Sequence, residues 1–417
     1  SSPGRTELRN PSSPGARHDL ATVSIVTVSG QAATPRTTVL YLLTDEISSV
    51  LVRGQLSHLV GEGFDVTVAA RRSAPGEPPE AGKWDDGVTG EHLPFVREPS
   101  PVADLRALWA TVRLIRRLRP TIVNASTPKA GLLGMLAAWL CRVPVRVYVV
   151  RGFRFETATG WRRRLFRSLE WLAIRCANHV LFNSRSLMAV GERESLIRPG
   201  RNDVIGGGSG NGIDVSRFAD DALPTRADAR ERFGLPAGAT VVGFVGRFTR
   251  DKGIADLTHI FTSTLSGRPD VWLLLVGQFE EGDPVPAAVR TTIESDERIV
   301  TVPWLDHPGI AYRAMDLLAF PSYREGLPNV PLEAQLCGVP VRGYAATGTV
   351  DAVAPGSGLV PVGDVQALSE EIVAQVDAGI GRSSSERQET TWVVENFDRI
   401  RLWSGLVDRY RSWVMTS

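Results

Sequence analysis

Short apolar runs rich in Val, Leu and Ile alternate with helical patterns through the first half of the chain. The runs predict strands at 38–43, 65–69, 121–124, 145–150 and 179–182. Between them, the spacing of apolar residues predicts helices at 50–61, 102–118, 130–141 and 161–177. This alternation is typical of βαβ units, whose parallel strands form a sheet covered by helices on both faces.

The alternation stops at 198–217, where Pro, Gly and Asn accumulate, and resumes after a capped helix at 225–233. Further strands are predicted at 240–245, 271–276, 299–302, 317–320 and 339–343. Because 417 residues exceed one ordinary core, we predict an α/β protein with two Rossmann-like, doubly wound domains facing a cleft. The predicted parts are a disordered leader (1–36), an N-terminal domain (37–218), a C-terminal domain (219–395) and a C-terminal helix (396–417) that packs back across both domains.

Charge and cysteine usage limit the functional classes. The net charge is only +1, but residues 101–175 contain fifteen Arg and Lys against three acids, a local balance of +12. This block is a candidate surface for an anionic lipid or a phosphorylated ligand, and we expect no nucleic-acid partner. Three isolated cysteines and an apolar stretch of at most 130–141, too short for a membrane span, favour a cytoplasmic protein.

The segment 246–253, "GRFTRDKG", directly follows the predicted strand 240–245. Its glycines allow a sharp turn, and Arg247 and Lys252 emerge at the carboxyl end of the strand, where a diphosphate could lie between them. The alternative is a solvated turn with two exposed cations.

A second segment, "PSYREGLPNVPLEAQ" at 321–335, follows the predicted strand 317–320. Asn329 is predicted to cap a helix whose positive end suits a phosphate. Glu333, one turn inside that helix, and Glu325, before the turn, could each reach the hydroxyls of a sugar on one side of a diphosphate. Alternatively, Glu333 interacts only with the helix dipole and Glu325 is a surface acid.

In these two segments the chain resembles the retaining, nucleotide-sugar-dependent glycosyltransferases of the GT-B fold, family four. The resemblance extends from about residue 38 to 410 and includes "TPKAGLLGMLAA" (127–138), "VRGFRFETATGWRRRLFRSLEW" (150–171), "GSGNGIDVSRF" (208–218) and "ATGTVDAV" (346–353). It is strongest to the branch that builds capsular polysaccharides, exopolysaccharides or lipid-linked oligosaccharides on a polyprenyl carrier.

The resemblance implies roles for single residues. Arg247 and Lys252 would hold the donor diphosphate, Glu325 the donor sugar and Glu333 the nucleotide ribose, with Arg247, Lys252 and Glu325 as the catalytic set. The rest of the implied donor site is Gly246, Gly277, Gly326, Leu327, Pro328, Asn329 and Val330, and the implied acceptor site is Ser126, Lys129, Arg151 and Arg154. No cofactor and no metal are expected, since no Asp-x-Asp motif occurs.

The implied activity is transfer of a hexosyl group from a nucleoside diphosphate sugar, with a UDP-sugar as the expected donor, to a hydroxyl of a polyprenyl-linked or polysaccharide acceptor, with retention. Two segments depart from the family pattern. Asn124 and Ser126 stand where many relatives have histidines, and the loop 44–49 lacks the paired glycines common in the family.

Three alternatives stay open: a soluble natural-product glycosyltransferase, a GT-B sugar-nucleotide epimerase and a solute-binding protein. The predicted helix 161–174 has Trp161, Leu165 and Leu169 on one face and arginines around the rest. It is either a domain helix with a solvated basic side or a contact with anionic lipid at the inner face of the plasma membrane.

Overall fold

The computed structural model describes residues 36–72, 84–96, 100–208, 210–378 and 384–417. The predicted leader lies outside these ranges except for Arg36. Within them the chain forms two parallel sheets, one in each half. The predicted fold class is confirmed, while the exact domain boundaries stay predictions.

The first sheet has seven strands in the described ranges, in the order β3-β2-β1-β4-β5-β6-β7. Its strands are β1 (Thr38–Asp45), β2 (Asp65–Arg71), β3 (Thr89–His92), β4 (Ile122–Ser126), β5 (Val145–Val150), β6 (His179–Phe182) and β7 (Asn202–Asp203). The helices of this half are α1 (Gln55–Gly61), α2 (Pro101–Leu118), α3 (Pro128–Leu140), α4 (Gly160–Cys176) and α5 (Arg185–Arg193). The strand order reverses between β1 and β4, whose register pairs Leu40 with Val123.

The second sheet has six strands in the described ranges, in the order β10-β9-β8-β11-β12-β13. They are β8 (Thr240–Val245), β9 (Val271–Val276), β10 (Ile299–Val302), β11 (Leu317–Phe320), β12 (Val341–Tyr344) and β13 (Leu359–Val360). Its helices are α6 (Arg226–Arg232), α7 (Ile254–Ser263), α8 (Ala287–Ser295), α9 (Gly309–Ala314), α10 (Asn329–Leu336), α11 (Thr349–Ala352), α12 (Val365–Ala378) and α13 (Ser384–Phe397), and α14 (Arg399–Met415) ends the chain. Here the order reverses between β8 and β11.

Both sheets are buried on two faces, which explains their continuous apolar strands. In β1, Leu40 and Leu42 belong to the core on one face, whereas Val39, Tyr41 and Leu43 belong to the core on the other. This alternation has the period of two that a strand requires. Each fully buried leucine of this kind contributes about 2 kcal/mol to stability.

The C-terminal segment joins the two halves. Val393 and Phe397 of α13 lie in the core of the second half, whereas Leu406 and Tyr410 of α14 lie in the core of the first. Between the two helices, the side chain of Asp398 accepts a hydrogen bond from the backbone N–H of Arg401 at 3.1 Å and caps α14. The predicted packing of the C-terminal helix across both domains is therefore confirmed.

Some predicted bounds are wrong for identifiable reasons. The helix predicted at 50–61 begins at Gln55, because Gly54 adopts a left-handed φ of 78° and lies against the ring of Trp403. The strands β3, β7 and β13 were not predicted, since they are short and lack an apolar run of the predicted kind. Their hydrogen bonds come from pairing with longer neighbours, which local sequence does not specify.

Candidate functional site

The loops that follow β8 and β11 meet at the point where the order of the second sheet reverses. In open α/β sheets, ligands bind outside the carboxyl ends of the strands at this switch point. Gly253, which ends the first loop at a φ of 69°, lies so close to the carbonyl oxygen of Pro321 that a Cβ there would overlap it. The backbone N–H of Tyr323 donates to the carbonyl oxygen of Asp251 at 2.9 Å. The two predicted donor segments are therefore one packed unit.

Lys252 and Glu325 form an ion pair across this switch point. The Nζ of Lys252 lies 2.5 Å from Oε1 of Glu325, and the Oγ of Ser322 donates to the same carboxylate oxygen at 2.7 Å. Only 17% and 13% of the two charged side chains are exposed. Low exposure strengthens the interaction between the charges and fixes their positions.

Arg247 lies apart from this pair. Its guanidinium forms an ion pair with Glu280 and lies 3.7 Å from a carboxylate oxygen of Asp251, with half of its side chain exposed. Arg247 and Lys252 therefore form ion pairs with different acidic residues. That a diphosphate lies between the two cations stays a prediction.

The predicted glycines of the donor site make close backbone contacts. Gly277, at a φ of 145°, follows β9 and lies against the carbonyl oxygen of Gly246 without room for a Cβ. The backbone N–H of Gly277 donates to the carbonyl oxygen of Val302 at 2.8 Å. These contacts keep the carboxyl ends of three neighbouring strands level with one another.

The helix α10 differs from the prediction at its first residue. Asn329 is the first helical residue and Pro328 occupies the cap position, which has no side-chain cap hydrogen bond, so the prediction that Asn329 is the cap is wrong. Glu333 is only partly exposed, and its Oε2 accepts a hydrogen bond from the hydroxyl of Tyr312 at 2.8 Å. Burial raises the pKa of Glu333, while the positive charge of Arg217 opposes that shift. Leu327 and Val330 pack against the core of the second half.

The loop after β11 also contacts the first domain. A Cβ on Gly326 would overlap the carbonyl oxygen of Arg151 at the end of β5. Two residues before Gly326, a guanidinium nitrogen of Arg324 donates to the carbonyl oxygen of Phe153 at 3.1 Å. The edge of the second domain that holds Glu325 therefore lies directly on the backbone that follows β5.

A second contact between the domains lies beside the first. The carboxylate of Asp351, in α11, accepts hydrogen bonds of 3.1 Å from the backbone N–H groups of Arg185 and Ser186 and so caps α5 across the cleft. The backbone N–H of Gly348 donates to the Oγ of Ser186 at 2.8 Å. Sequence reasoning missed the role of Asp351, and the signal available for it was the motif "ATGTVDAV" that contains it.

The switch point of the first sheet is built differently. Thr44 lies near the end of β1, and Thr127 directly follows β4. Their hydroxyls share a hydrogen bond of 2.7 Å. Thr127 has φ 78° and ψ 142°, a backbone region almost restricted to glycine, and such strain is typical of functional sites. The neighbouring Oγ of Ser126 is buried and has no hydrogen-bond partner among the described residues. Sequence reasoning missed Thr127, because Pro128 predicts its ψ but not its positive φ.

The predicted acceptor residues divide into two places. The Nζ of Lys129 lies 2.8 Å from Asp104, and the guanidinium of Arg154 lies 5.1 Å from the ring centre of Phe166, in one shared cavity. Arg151 instead donates to the carbonyl oxygen of Leu51 at 3.2 Å, and burial lowers its pKa to about 10. Lys129 and Arg154 thus line one cavity, whereas Arg151 lines a different one.

Asn124, one of the predicted departures from the family pattern, makes a structural contact. Its Nδ2 donates to the hydroxyl of Tyr410 in α14 at 2.6 Å, and that hydroxyl lies 3.0 Å from the hydroxyl of Tyr41. The departure from the family pattern therefore coincides with anchoring of the C-terminal helix.

The described ranges contain neither a cluster of metal ligands nor a membrane-spanning helix. Among those residues, no three His, Cys, Asp or Glu side chains are grouped as metal ligands. No helix there has both the length and the apolar character needed to cross a membrane.

Known proteins match both halves. Residues 48–208 match the glycosyl transferase 4-like domain, and residues 239–377 match the glycosyl transferases group 1. A capsular polysaccharide biosynthesis glycosyltransferase, CapM of Staphylococcus aureus, is 30% identical over 381 residues, which is 91% of this chain and 98% of the relative. The UDP-Gal:α-D-GlcNAc-diphosphoundecaprenol α-1,3-galactosyltransferase of Escherichia coli is 26% identical over 68% of this chain and 72% of the relative.

Solved structures share the arrangement of the two sheets. Anabaena Alr3699/HepE, in complex with UDP and glucose, superposes with a TM-score of 0.71 at 20% identity, over 90% of this chain and all of the other. The fold and the matching families define a glycosyltransferase enzyme of the GT-B class. The chain belongs to the group 1 glycosyltransferases.

Proposed function

We propose that the protein transfers a hexosyl group from a UDP-sugar to a hydroxyl of a polyprenyl-linked or polysaccharide acceptor, with retention at the anomeric carbon. The observation on which this rests is the ion pair of Lys252 and Glu325 at the switch point of the second sheet. Two similar proteins support the choice of donor and acceptor: one is the UDP-Gal:α-D-GlcNAc-diphosphoundecaprenol α-1,3-galactosyltransferase, and the other was solved in complex with UDP and glucose.

The donor is proposed to lie along the carboxyl ends of the second sheet. Lys252 binds the diphosphate from one side. Arg247 binds it from the other side, after its guanidinium exchanges Glu280 and Asp251 for phosphate oxygens. The amino end of α10, preceded by Pro328, adds backbone N–H groups and the positive end of a helix dipole. Glu333 accepts hydrogen bonds from the ribose. Glu325, oriented by Lys252 and Ser322, accepts them from the sugar.

Transfer is proposed to take place on one face of the sugar. The bond from the anomeric carbon to the diphosphate oxygen breaks while a bond to the acceptor oxygen forms on the same side. The acceptor proton passes to the departing diphosphate oxygen, so no separate base is required. Lys252 and Arg247 stabilise the charge that develops on the leaving group, and preorganised charges of this kind typically supply the largest share of a rate enhancement. Nuclear magnetic resonance of the product, started from an α-linked donor, would show an α linkage.

The acceptor is proposed to approach from the first domain, past Ser126, Lys129 and Arg154. The apolar side chains of Trp161 and Leu165 on α4 are 69% and 43% exposed and are surrounded by arginines. Such a face suits an anionic membrane that contains the acceptor. Flotation with vesicles of phosphatidylglycerol, compared with phosphatidylcholine alone, tests this contact. If the protein floats with neither kind of vesicle, a soluble acceptor is favoured.

Calorimetric titration with UDP, GDP and ADP tests the donor site, in EDTA and without added metal. We expect wild type to bind UDP and the double variant Arg247→Ala/Lys252→Ala to lose at least tenfold in affinity. Arg250→Ala is the matched control, because Arg250 is exposed in the same loop and its side chain donates only to the carbonyl oxygen of Pro284 in this structure.

Each outcome decides a separate point. Tighter binding of GDP or ADP than of UDP would change the proposed nucleotide but leave the proposed donor site in place. Binding that needs a divalent cation would overturn the metal-independent donor site. No binding of any of the three nucleotides, or equal loss in the double variant and in Arg250→Ala, would overturn the diphosphate assignment.

A further inference from the structure

An apolar cavity of about 120 Å³ lies between three helices of the first domain. Leu132 and Leu133 of α3 line it on one side, and Phe166, Leu169 and Ala173 of α4 line it on the other. An engineered apolar cavity of roughly 150 Å³ stays dry and binds benzene, a six-carbon ring. A cavity of the present size therefore fits a five-carbon hydrocarbon group.

Two cations stand at this cavity. Lys129, in the first turn of α3, is held by Asp104 of α2, and Arg154 is held over the ring of Phe166. Both side chains line the same space as the apolar residues, together with the carboxyl groups of Asp104 and Glu170. A ligand that fills the cavity with hydrocarbon would place an anionic group between a lysine and an arginine. The charge of this pair is complementary to a diphosphate once Lys129 exchanges the carboxylate of Asp104 for phosphate oxygens.

The cavity also reaches the protein surface. Leu169 lines it and is 36% exposed. On the same helix Trp161 and Leu165 are exposed at a spacing of four residues, and on α2 the side chains of Leu105 and Trp109 are exposed in the same way. Apolar side chains on the two helices that flank α3 therefore continue from the cavity outwards. A chain longer than five carbons would leave the cavity along an apolar surface.

The cations lie next to the switch point of the first sheet. Lys129 comes two residues after the strained Thr127 and three after the unpaired Ser126. An anionic group at Lys129 would bring whatever is attached beyond it to the carboxyl end of β4. That end of the sheet is where an acceptor hydroxyl has to lie if the donor occupies the second domain.

From this arrangement we infer that the cavity between α2, α3 and α4 binds the first isoprene unit of a polyprenyl diphosphate-linked acceptor, with its diphosphate between Lys129 and Arg154. The inference rests on the proposed function and narrows it, because it selects a lipid diphosphate over a free polysaccharide. The cavity would then measure the distance from the lipid to the reacting sugar hydroxyl.

Titration with two diphosphates tests the inference in the full chain, in the presence of saturating UDP so that the donor site is occupied. Farnesyl diphosphate and ethyl diphosphate have the same charge and differ in the hydrocarbon. Because ethyl diphosphate buries two carbons and farnesyl diphosphate about five, the difference of about three carbons predicts roughly 100-fold tighter binding of farnesyl diphosphate. Equal affinity for the two compounds would overturn the inference.

Variants locate the preference. Leu169→Trp fills the cavity and is expected to remove most of the 100-fold difference, and Leu132→Phe fills it from the opposite helix. Leu140→Trp is the matched control, since Leu140 is half exposed at the end of α3 and does not line the cavity. Lys129→Met should weaken both diphosphates equally and leave their ratio unchanged. Loss of preference in Leu140→Trp to the same extent as in Leu169→Trp would contradict the assigned location.

The affinity for UDP, measured in the same preparations, separates this inference from the proposed function. If UDP binds and farnesyl diphosphate shows no preference, the cavity assignment is wrong and the donor site stands. If farnesyl diphosphate is preferred and UDP does not bind, the reverse holds. An unchanged UDP affinity in Leu169→Trp and Leu132→Phe also shows that these variants fold.

Discussion

The two switch points occupy the same position in two similar sheets but are built from opposite chemistry. In the second domain, a lysine and a glutamate with little exposure contact each other at 2.5 Å between loops that pack backbone to backbone. In the first domain, two threonines share a hydrogen bond beside a strained backbone and a serine that has no hydrogen-bond partner among the described residues. One site is electrostatically complete in itself, and the other leaves polar groups available.

This difference fits the tasks proposed for the two domains. A nucleoside diphosphate sugar presents the same charged group in every reaction of its kind, so a fixed arrangement of charges can serve it. An acceptor contributes a neutral hydroxyl that differs between enzymes, and it needs positioning more than charge. In the first domain the proposed acceptor cavity lies beside the switch point, and we expect its size and shape to select the ligand.

The largest expected effect comes from the charged switch point. Lys252→Met removes the cation that is proposed to face the leaving group, and we expect kcat/KM to fall about 10³-fold, the upper range for loss of one preorganised donor. Initial rates with a UDP-sugar and a lipid-linked acceptor measure this effect.

Arg250→Met is its control, since Arg250 lies two residues earlier in the same loop. A variant Lys252→Met that retains more than a tenth of the wild-type kcat/KM would show that the ion pair is only structural. The contrast between the two domains would then lose its functional meaning.

The next effect concerns a carboxyl group in the apolar part of the first domain. Glu170 is 6% exposed, and the hydroxyl of Tyr148 donates to it at 2.8 Å. Burial raises the pKa of Glu170 from 4.5 to about 7, while the hydrogen bond from Tyr148 opposes the shift. Between these two pH values the folded protein keeps a proton that the unfolded chain releases. Stability should therefore fall as the pH rises from 4.5 to 7, by about 3 kcal/mol, and then level off.

Glu170→Gln removes this titration. We expect the urea midpoint of the variant to exceed that of wild type at pH 8 and the two midpoints to converge near pH 5. Glu192→Gln, at an exposed position of α5, should follow wild type at every pH. A wild-type midpoint that does not change across this range would mean that Glu170 is solvated and that the cavity beside it is not apolar.

Much of the second domain could be predicted from sequence, because its site is local. The strand β8, its loop and the pair of Lys252 and Glu325 lie in two short segments with clear turn residues, and the parallel sheet brings those segments to one edge. The wrong cap at Asn329 is a shift of one residue at a helix start, where Pro328 already fixes an extended backbone.

The first domain could be predicted less well, because its features join residues far apart in the chain. Leu132 and Phe166 meet across two helices, and Asp351 caps α5 at a separation of about 165 residues. The positive φ of Thr127 depends on the packing around Thr44 and leaves no local signal. Sequence patterns report which face of a helix is apolar, but not the space that three helices enclose.

The contact between the domains provides the smallest and most selective test of the comparison. Gly326→Ala places a methyl group where the carbonyl oxygen of Arg151 lies, so the loop after β11 and the end of β5 have to separate. A displacement of about 1 Å at a reacting centre can cost about 100-fold in rate. We expect kcat/KM to fall by up to that factor and the affinity for UDP to fall by less, because Gly326 is itself an implied donor residue but the added methyl group clashes on the side of Arg151.

Gly282→Ala serves as the control, since a Cβ at Gly282 meets no atom within 4 Å. If Gly326→Ala keeps the wild-type kcat/KM, transfer takes place in a more open arrangement of the domains than the one described here. If it instead loses UDP affinity as strongly as activity, the first domain contributes to the donor site. The donor site would then include the backbone at Arg151, and the separation of a charged donor site in one domain from a shaped acceptor site in the other would be wrong.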